Sequence, residues 1–482
     1  MSITKNFVYN SAITLSSYIV GFIIFPYISR VLGVDSLGIV GFVDNVINYF
    51  IMFAMLGVET VGIREIAACR GNKEQCSKVF FNLFTFIIIS ISLIVCVYLI
   101  TIFIFPQLSR YNTFFLIGVT KLLFTPLLFE WLFIGNQDFK YISIRTILVK
   151  LFYLVSVFLF VRDKDDVDVY FMLTSLSVVI NSVINIWATR RYISWQFFSF
   201  KIGIFLPQIA KLGLFSFIIS LYSTFNYVYL GLVSSEKQVG LYFTAIKLYT
   251  VIMGLFRAFT GVVLPKMSEL IANNDKENFQ KIIDKSLNAL FTFSIPTIVV
   301  TCILSSFIVK IIAGDAYEEA ALPMMIIMPI LIIAGLNQVN GVQILMPLHK
   351  DNVLLVTATF AAVVGITSNV FLDPRYGAIG AACTILFSEL TGCVGGLFYT
   401  MKKRIYKFPL KTFFKHLLAV TPCFAILWII DKTTMDFYCK SFSLGILCLL
   451  YFAISNIFIL KNEIVLNLIK KIRPIYNNKG TR

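Results

Sequence analysis

The sequence is short of charge. Asp, Glu, Lys and Arg together make up 14% of 482 residues, against 58% hydrophobic, and the mean hydropathy is +0.86. So few charges cannot cover a water-exposed surface, which excludes a soluble protein of two or three domains. Histidine is scarcer still. His349 and His416 are the only two, each reads as a lone surface residue near a helix end, and no His/Asp/Ser or metal-ligand constellation surrounds them. The nine cysteines include no CxxC pair, which excludes a zinc ribbon or thioredoxin-like motif and, with the odd count, argues against a disulfide framework. Cys96, Cys302, Cys383, Cys423 and Cys448 fall in apolar runs, where a thiol behaves as a small hydrophobe. No GxxxxGK[ST] occurs, so ATP hydrolysis is not expected, and no cofactor is implied. The first apolar run, 7–29, is too long for a signal-peptide h-region and lacks a small-residue cleavage site, so it reads as a membrane span.

What the sequence has is apolar runs, at about 7–29, 37–63, 79–105, 113–135, 143–161, 169–188, 209–233, 238–263, 287–309, 320–346, 353–372, 377–401, 413–430 and 441–460. Each can supply the roughly 20 residues of a spanning helix. The expected fold class is an all-α polytopic membrane protein of about fourteen transmembrane helices. Basic residues set its orientation. With the N-terminus inside, cytoplasmic segments hold 28 Lys and Arg and the opposite loops nine, alternating loop by loop. Both termini are therefore expected in the cytoplasm. The net charge of +16 then forms a collar facing anionic headgroups, and no nucleic acid is expected as a partner.

A weak repeat divides the chain. Gly33-Val-Asp-Ser-Leu-Gly38-Ile-Val-Gly41 opens an apolar span, and a charged segment with Asn72-Lys73-Glu74 follows it. Near residue 234, Ser-Ser-Glu-Lys-Gln-Val-Gly240-Leu-Tyr opens another, followed by Asp275-Lys276-Glu277. The expected division is an N-terminal lobe of six helices at 1–208, a C-terminal lobe of six at 209–402, and two appended helices with a basic tail at 403–482.

Several of these segments resemble a known family. Pro26-Tyr-Ile-Ser-Arg30-Val-Leu-Gly33, Gly38-Ile-Val-Gly41-Phe, and Leu56-Gly57 with Gly62-Ile-Arg64-Glu65 look like the N-terminal signature of the polysaccharide-transport (Wzx-type) flippases. Gly240-Leu-Tyr with Ala245-Ile-Lys247, Leu264-Pro265-Lys266-Met267-Ser268, and Tyr376-Gly377-Ala-Ile-Gly380-Ala-Ala fit the same pattern, so that the resemblance covers about residues 5–400. That family belongs to the multidrug/oligosaccharidyl-lipid/polysaccharide exporter superfamily. The resemblance implies two six-helix lobes around a central cavity, alternating access, and transport of an undecaprenyl-pyrophosphate-linked oligosaccharide to the outer leaflet of the bacterial cytoplasmic membrane, for O-antigen, capsule or exopolysaccharide.

Eight charges lie within the expected spans: Asp44, Glu59, Lys121, Glu130, Lys150, Lys247, Arg257 and Glu389. Each costs roughly 2.5–3.5 kcal/mol to insert, so such groups face a cavity, pair with one another or snorkel. Lys121, Lys247 and Arg257 are candidates to hold a pyrophosphate, since fixed bases can replace its hydration with charge-assisted hydrogen bonds. The resemblance adds Arg30 and Arg64 as candidates at the cavity mouths, although helix-end arginines also serve as headgroup anchors. Asp44, Glu130 and Asn48 are candidates for coupling or charge balance, Asp44 and Asn48 sharing a helix face. Lys121 and Glu130 fall on opposite faces of a straight helix, unless Pro126 kinks it. Glu59 is expected near Arg64, Lys150 to snorkel, and Glu389 has no partner evident in the sequence.

The expected function is a lipid-linked oligosaccharide flippase, a transporter and not an enzyme. Its expected partners are the glycan-lipid, membrane lipids, a coupling ion (proton or sodium), and a polysaccharide polymerase with its chain-length regulator. A cation-coupled drug exporter shares the fold, but would have fewer buried bases and a dominant acidic site. A membrane polymerase or ligase would carry a large external loop, whereas the longest here has about ten residues.

Overall fold

The computed structural model describes residues 3–198, 201–458 and 460; the basic tail 461–482 lies outside them, as does the side chain of Arg257. All regular elements among the described residues are helical, as a bilayer requires of a backbone that must satisfy its hydrogen bonds without water. Two compact units result. One comprises Met1–Thr244, Ile312–Tyr317 and Gly365–Thr384; the other comprises Ala245–Ile311, Glu318–Val364 and Ile385–Arg482.

The first unit is built from α1 (Ile3–Met55), α2 (Val58–Ala68), α3 (Lys73–Ile104), α4 (Pro106–Ser109), α5 (Asn112–Phe124), α6 (Glu130–Gly135), α7 (Phe139–Phe160), α8 (Val167–Ala188), α9 (Leu206–Ser223) and α10 (Phe225–Val233). The helix α11 (Glu236–Ala272) contributes to both units. The second holds α12 (Lys276–Ile303), α13 (Ser305–Ala313), α14 (Ala321–Ile327), α15 (Ile330–Gln338) and a π-helical stretch, Val339–Leu345. After these come α16 (Asp351–Tyr376) and α17 (Ala378–Lys402), whose adjoining ends belong to the first unit, then α18 (Leu410–Ala419), α19 (Thr421–Asp431) and α20 (Phe437–Phe458).

Ten helical segments among the described residues are long and apolar enough to cross a membrane, or eleven if the bent pair Asp315–Ile327 and Ile330–Leu345 is one span. The protein is therefore a multi-pass, all-helical membrane protein. Set against the fourteen apolar runs, α1 carries two, joined at Gly33 with φ 83° and ψ 174°, a conformation open to glycine and strained for other residues. Runs 209–233 and 238–263 fall on the broken pair α9 and α10 and on α11.

The two copies of the sequence repeat have identifiable structural jobs. Asn72 accepts from the Gln75 amide and caps α3, and Asp275 accepts from the Asn278 amide and caps α12, both at 3.1 Å. The glycines of the repeat pack on the other copy. A Cβ on Gly38 would lie 1.9 Å from the Glu236 carbonyl oxygen, and one on Gly240 would lie 2.1 Å from that of Val34. Small residues thus let α1 and the start of α11 cross at backbone contact within the first unit. The Tyr111 hydroxyl donates to the Glu236 carboxylate beside this crossing and, as the largest of several causes, holds that carboxyl below its usual range. Gly38→Ala must push apart two backbones, and is expected to destabilise by about 1–3 kcal/mol. A thermal midpoint in detergent equal to that of the parent would show that this crossing is loose.

In the second unit, Phe291 packs against Phe413 and Phe408 at 5.3 and 6.1 Å between ring centroids. His416 joins them. It is buried, with Nε2 3.1 Å from the Thr292 hydroxyl and Nδ1 2.8 Å from the Thr412 carbonyl. This corrects its reading as a surface residue: α18 turns an apolar face toward α12, and His416 lies on it.

Candidate functional site

In the first unit the in-span charges gather into two clusters. Lys121 and Asp44 form the first. Gly118, one turn before Lys121, is so close to Ile47 that a Cβ there would sit 2.2 Å from its side chain. This draws α5 onto α1, and the Lys121 ammonium donates to the Asp44 carboxylate at 2.6 Å. The same ammonium lies 4.5 Å from the Phe171 ring centroid, a cation–π arrangement. Tyr153 and Tyr170, hydrogen-bonded to each other, lie within electrostatic reach of Asp44. Exposure is uneven. The Lys121 side chain is 11% exposed, whereas that of Asp44 is 39% exposed. The pair is therefore accessible from one side. Asn48 is exposed one turn further along α1, and Asn45 bonds back to the Gly41 carbonyl at 2.8 Å.

The second cluster centres on Glu130. Pro126 and Phe129, whose φ is +48°, break the chain between α5 and α6, so Glu130 no longer follows the helical register of Lys121. Its partner is Arg145, at 2.8 Å. The Arg145 residue is 5% exposed, and its Nε and Nη1 have no hydrogen-bond partner among the described residues. Glu59 acts electrostatically on Glu130 rather than pairing with Arg64. Lys150 donates to the Ser17 hydroxyl and feels both Glu130 and Arg145, so it is a member of the cluster rather than a snorkelling end group.

The remaining candidates are on other elements. Arg30 and Arg64 are exposed, and Arg30 donates to the Pro26 carbonyl at 3.1 Å. Lys247 and Arg257 share the unbroken helix α11, with Lys247 partly buried in the second unit. Glu389 does have a partner in that unit: it accepts from the Asn337 amide at 2.8 Å.

A third polar group, in the first unit, was not anticipated. Asp373 is 0% exposed, and neither carboxylate oxygen has a hydrogen-bond partner among the described residues. One turn earlier on α16, the Asn369 amide donates to the Asn226 side chain of α10 at 2.8 Å. Asn226 in turn donates to the Tyr242 hydroxyl of α11 at 3.2 Å, and Asp373 acts electrostatically on Tyr242. The α16–α17 turn at Gly377 holds this group together, with Gln238 of α11 accepting from the Ala378 amide at 2.8 Å. The i, i+4 pair Asn369 and Asp373 was a legible signal. The apolar run 353–372 stops one residue short of Asp373 and so places it in a loop.

A chain of apolar helices that holds ion pairs and an unpaired acid within its candidate spans has the pattern of a transporter, where such groups mark substrate and ion pathways. Comparison with known proteins agrees. Residues 3–271 match the model of the polysaccharide biosynthesis protein family, and the chain belongs to that family. It is 25% identical, over 81% of its length and 94% of the other, to the "Putative O-antigen transporter" of Escherichia coli (strain K12). Over 35% of each chain it is 22% identical to the "Probable low-salt glycan biosynthesis flippase Agl15" of Haloferax volcanii. Its fold is similar to that of the lipid II flippase MurJ in an inward closed conformation, with a TM-score of 0.71, 17% identity, and coverage of 94% of this chain and 98% of MurJ. An inward-facing multidrug resistance transporter of the MATE family and the MOP superfamily matches with a TM-score of 0.59 and 16% identity, over 84% and 95%. The chain is therefore a multi-pass membrane protein of this family with the fold of these transporters.

Proposed function

We propose that this protein is a flippase that carries an undecaprenyl-pyrophosphate-linked oligosaccharide from the inner to the outer leaflet of a bacterial cytoplasmic membrane, for O-antigen, capsule or exopolysaccharide synthesis. The observation that carries the reading is the family match together with the Lys121–Asp44 pair, a base within a candidate span left accessible on its acidic side. A pyrophosphate crossing the membrane needs bases to replace its water, and must also leave again. A lysine already shared with a carboxylate can exchange that partner for a phosphate oxygen without stranding either charge for long. Alternating access of two lobes, 1–208 and 209–402, is the transport mode of this reading, and Lys247 and Arg257 of α11 are its further candidate bases. Both termini are cytoplasmic, and a polymerase with its chain-length regulator takes over the product.

Asp373 supports ion coupling. A fully buried carboxylate without a partner is costly unless it binds a proton or a cation. With the side-chain oxygens of Asn369, Asn226 and Tyr242 grouped beside it, the site suits a proton or a sodium ion.

Purified protein in proteoliposomes is expected to move a lipid-linked glycan across the bilayer without ATP. If it moves only a cationic dye against a proton or sodium gradient, the protein is a drug exporter and the proposal fails. Lys247→Ala and Arg257→Ala are each expected to abolish complementation of a flippase-null strain at normal membrane levels. Full complementation would remove both residues from the pathway.

A further inference from the structure

We propose that a notch at the basic end of α7 and α8 binds the phosphate headgroup of an anionic phospholipid and lays its acyl chains along the apolar flank of the same two helices. The notch is a cavity of about 470 Å³ within the first unit. Three cations line it. Lys140 comes from the first turn of α7, Arg145 from its second, and Arg191 from the 3-10 turn that follows α8. Lys140 and Arg191 are exposed at the mouth, while Arg145 is buried in the wall.

The balance of charge there is positive. Asp138 is the one carboxylate in the lining, and it is already engaged, accepting from the Tyr141 amide at 3.4 Å as the cap of α7 and from the Tyr192 hydroxyl at 2.7 Å. Arg145 spends one nitrogen, Nη2, on Glu130 and on the Thr146 hydroxyl, and its other two nitrogens are buried without partners. A nine-tenths-buried guanidinium with unspent donors, in the wall of a cavity with two exposed cations at its rim, one of them stacked on the Tyr141 ring at 5.4 Å, is a site suited to an anion.

The apolar lining decides which anion. Ile144, Leu148 and Ile184 also line the notch and are exposed on the surfaces of helices that pass through hydrocarbon. A free phosphate or pyrophosphate would leave this flank uncovered, whereas a phospholipid covers both parts with one molecule. The position also fits, because the cations sit at or near the ends of the candidate spans Phe139–Phe160 and Lys164–Arg191, and basic pockets between transmembrane helices hold acidic lipid headgroups. This inference concerns a resident lipid and does not depend on what the protein transports.

The test is lipid binding to the full chain purified in detergent, read by native mass spectrometry while lipid is titrated in. The probes are phosphatidylglycerol, phosphatidylcholine with the same chains, inorganic pyrophosphate and undecaprenyl pyrophosphate. Phosphatidylglycerol is expected to bind in preference to phosphatidylcholine. Lys140→Gln and Arg191→Gln are each expected to weaken that preference by roughly fivefold, and the double variant to erase most of it. Both side chains are exposed, so folding should survive; Arg145 is left in place because its buried side chain is part of the wall and its loss would leave a cavity. Equal binding of the two phospholipids would overturn the proposal in favour of a tail groove. Displacement of phosphatidylglycerol by inorganic pyrophosphate would overturn it in favour of a free-phosphate site. Tighter binding of undecaprenyl pyrophosphate, lost in the double variant, would reassign the notch to the transported substrate.

Discussion

Lys121→Ala is expected to reduce translocation by about one to two orders of magnitude while leaving the protein in the membrane at normal levels. A hydrogen bond to a charged group is worth about 1.5–3 kcal/mol, and each 1.4 kcal/mol is tenfold. An ammonium that passes from Asp44 to a phosphate oxygen therefore accounts for that range with a single contact. Folding should survive because the carboxylate left behind is 39% exposed and can take up water. Asp44→Asn separates this role from mere packing. It frees Lys121 from its acid, so substrate should bind more tightly and leave more slowly, lowering turnover while raising affinity. Were the pair only a brace between α1 and α5, the two variants would lower protein levels together and leave affinity alone. Full transport by Lys121→Ala, measured in proteoliposomes, would remove this residue from the pathway.

The way these charges combine was only partly legible in the sequence. Composition and apolar runs made the membrane class plain, because a chain with 14% charged residues has no alternative solvent. The repeat was legible as spelling before it had a meaning. Gly38 and Gly240 were visible as matching letters, but their backbone contact across α1 and α11 depends on distant segments meeting, which no local pattern encodes. Lys121, Asp44 and Glu130 stood out because a charge in an apolar run is costly wherever it lies. Their pairing did not, since Lys121 meets Asp44 through the close approach at Gly118, and Glu130 meets Arg145 through the helix break between Pro126 and Phe129, whose left-handed conformation has no sequence signature. Arg145 and Asp373 were missed for a simpler reason. Arg145 lies at the very start of its run, 143–161, and Asp373 one residue past the end of 353–372, yet α7 starts at Phe139 and α16 continues to Tyr376, so both side chains are carried inside. Hydropathy averages over a window, and it is blindest at the helix ends, where polar residues are cheapest to place and most useful to a transporter.

Asp373→Asn is expected to uncouple the protein from the ion gradient without unfolding it. Asparagine nearly matches aspartate in shape and carries no charge, so it removes the one feature of the site that is expensive to bury. Stability should be unchanged or higher, as when a buried ionisable group is replaced by a neutral one of similar volume. The variant should still equilibrate a lipid-linked glycan between leaflets, but imposing a proton or sodium gradient should no longer accelerate it. The expectation follows from the energetics of the site. A ligand shifts an equilibrium between two conformations only by its differential affinity for them. A fully buried acid with both oxygens unpartnered in this conformation must gain a great deal when it binds a cation, or when another conformation lets in water. Asn226 and Asn369 tie α10 to α16 beside that acid, so occupancy at Asp373 is felt at once by two helices of the first unit. Transport assays with a proton gradient alone and a sodium gradient alone would identify the ion. A variant that responds to either gradient as strongly as the parent would show that coupling lies elsewhere, with Glu389 and its Asn337 partner in the second unit the next group to test.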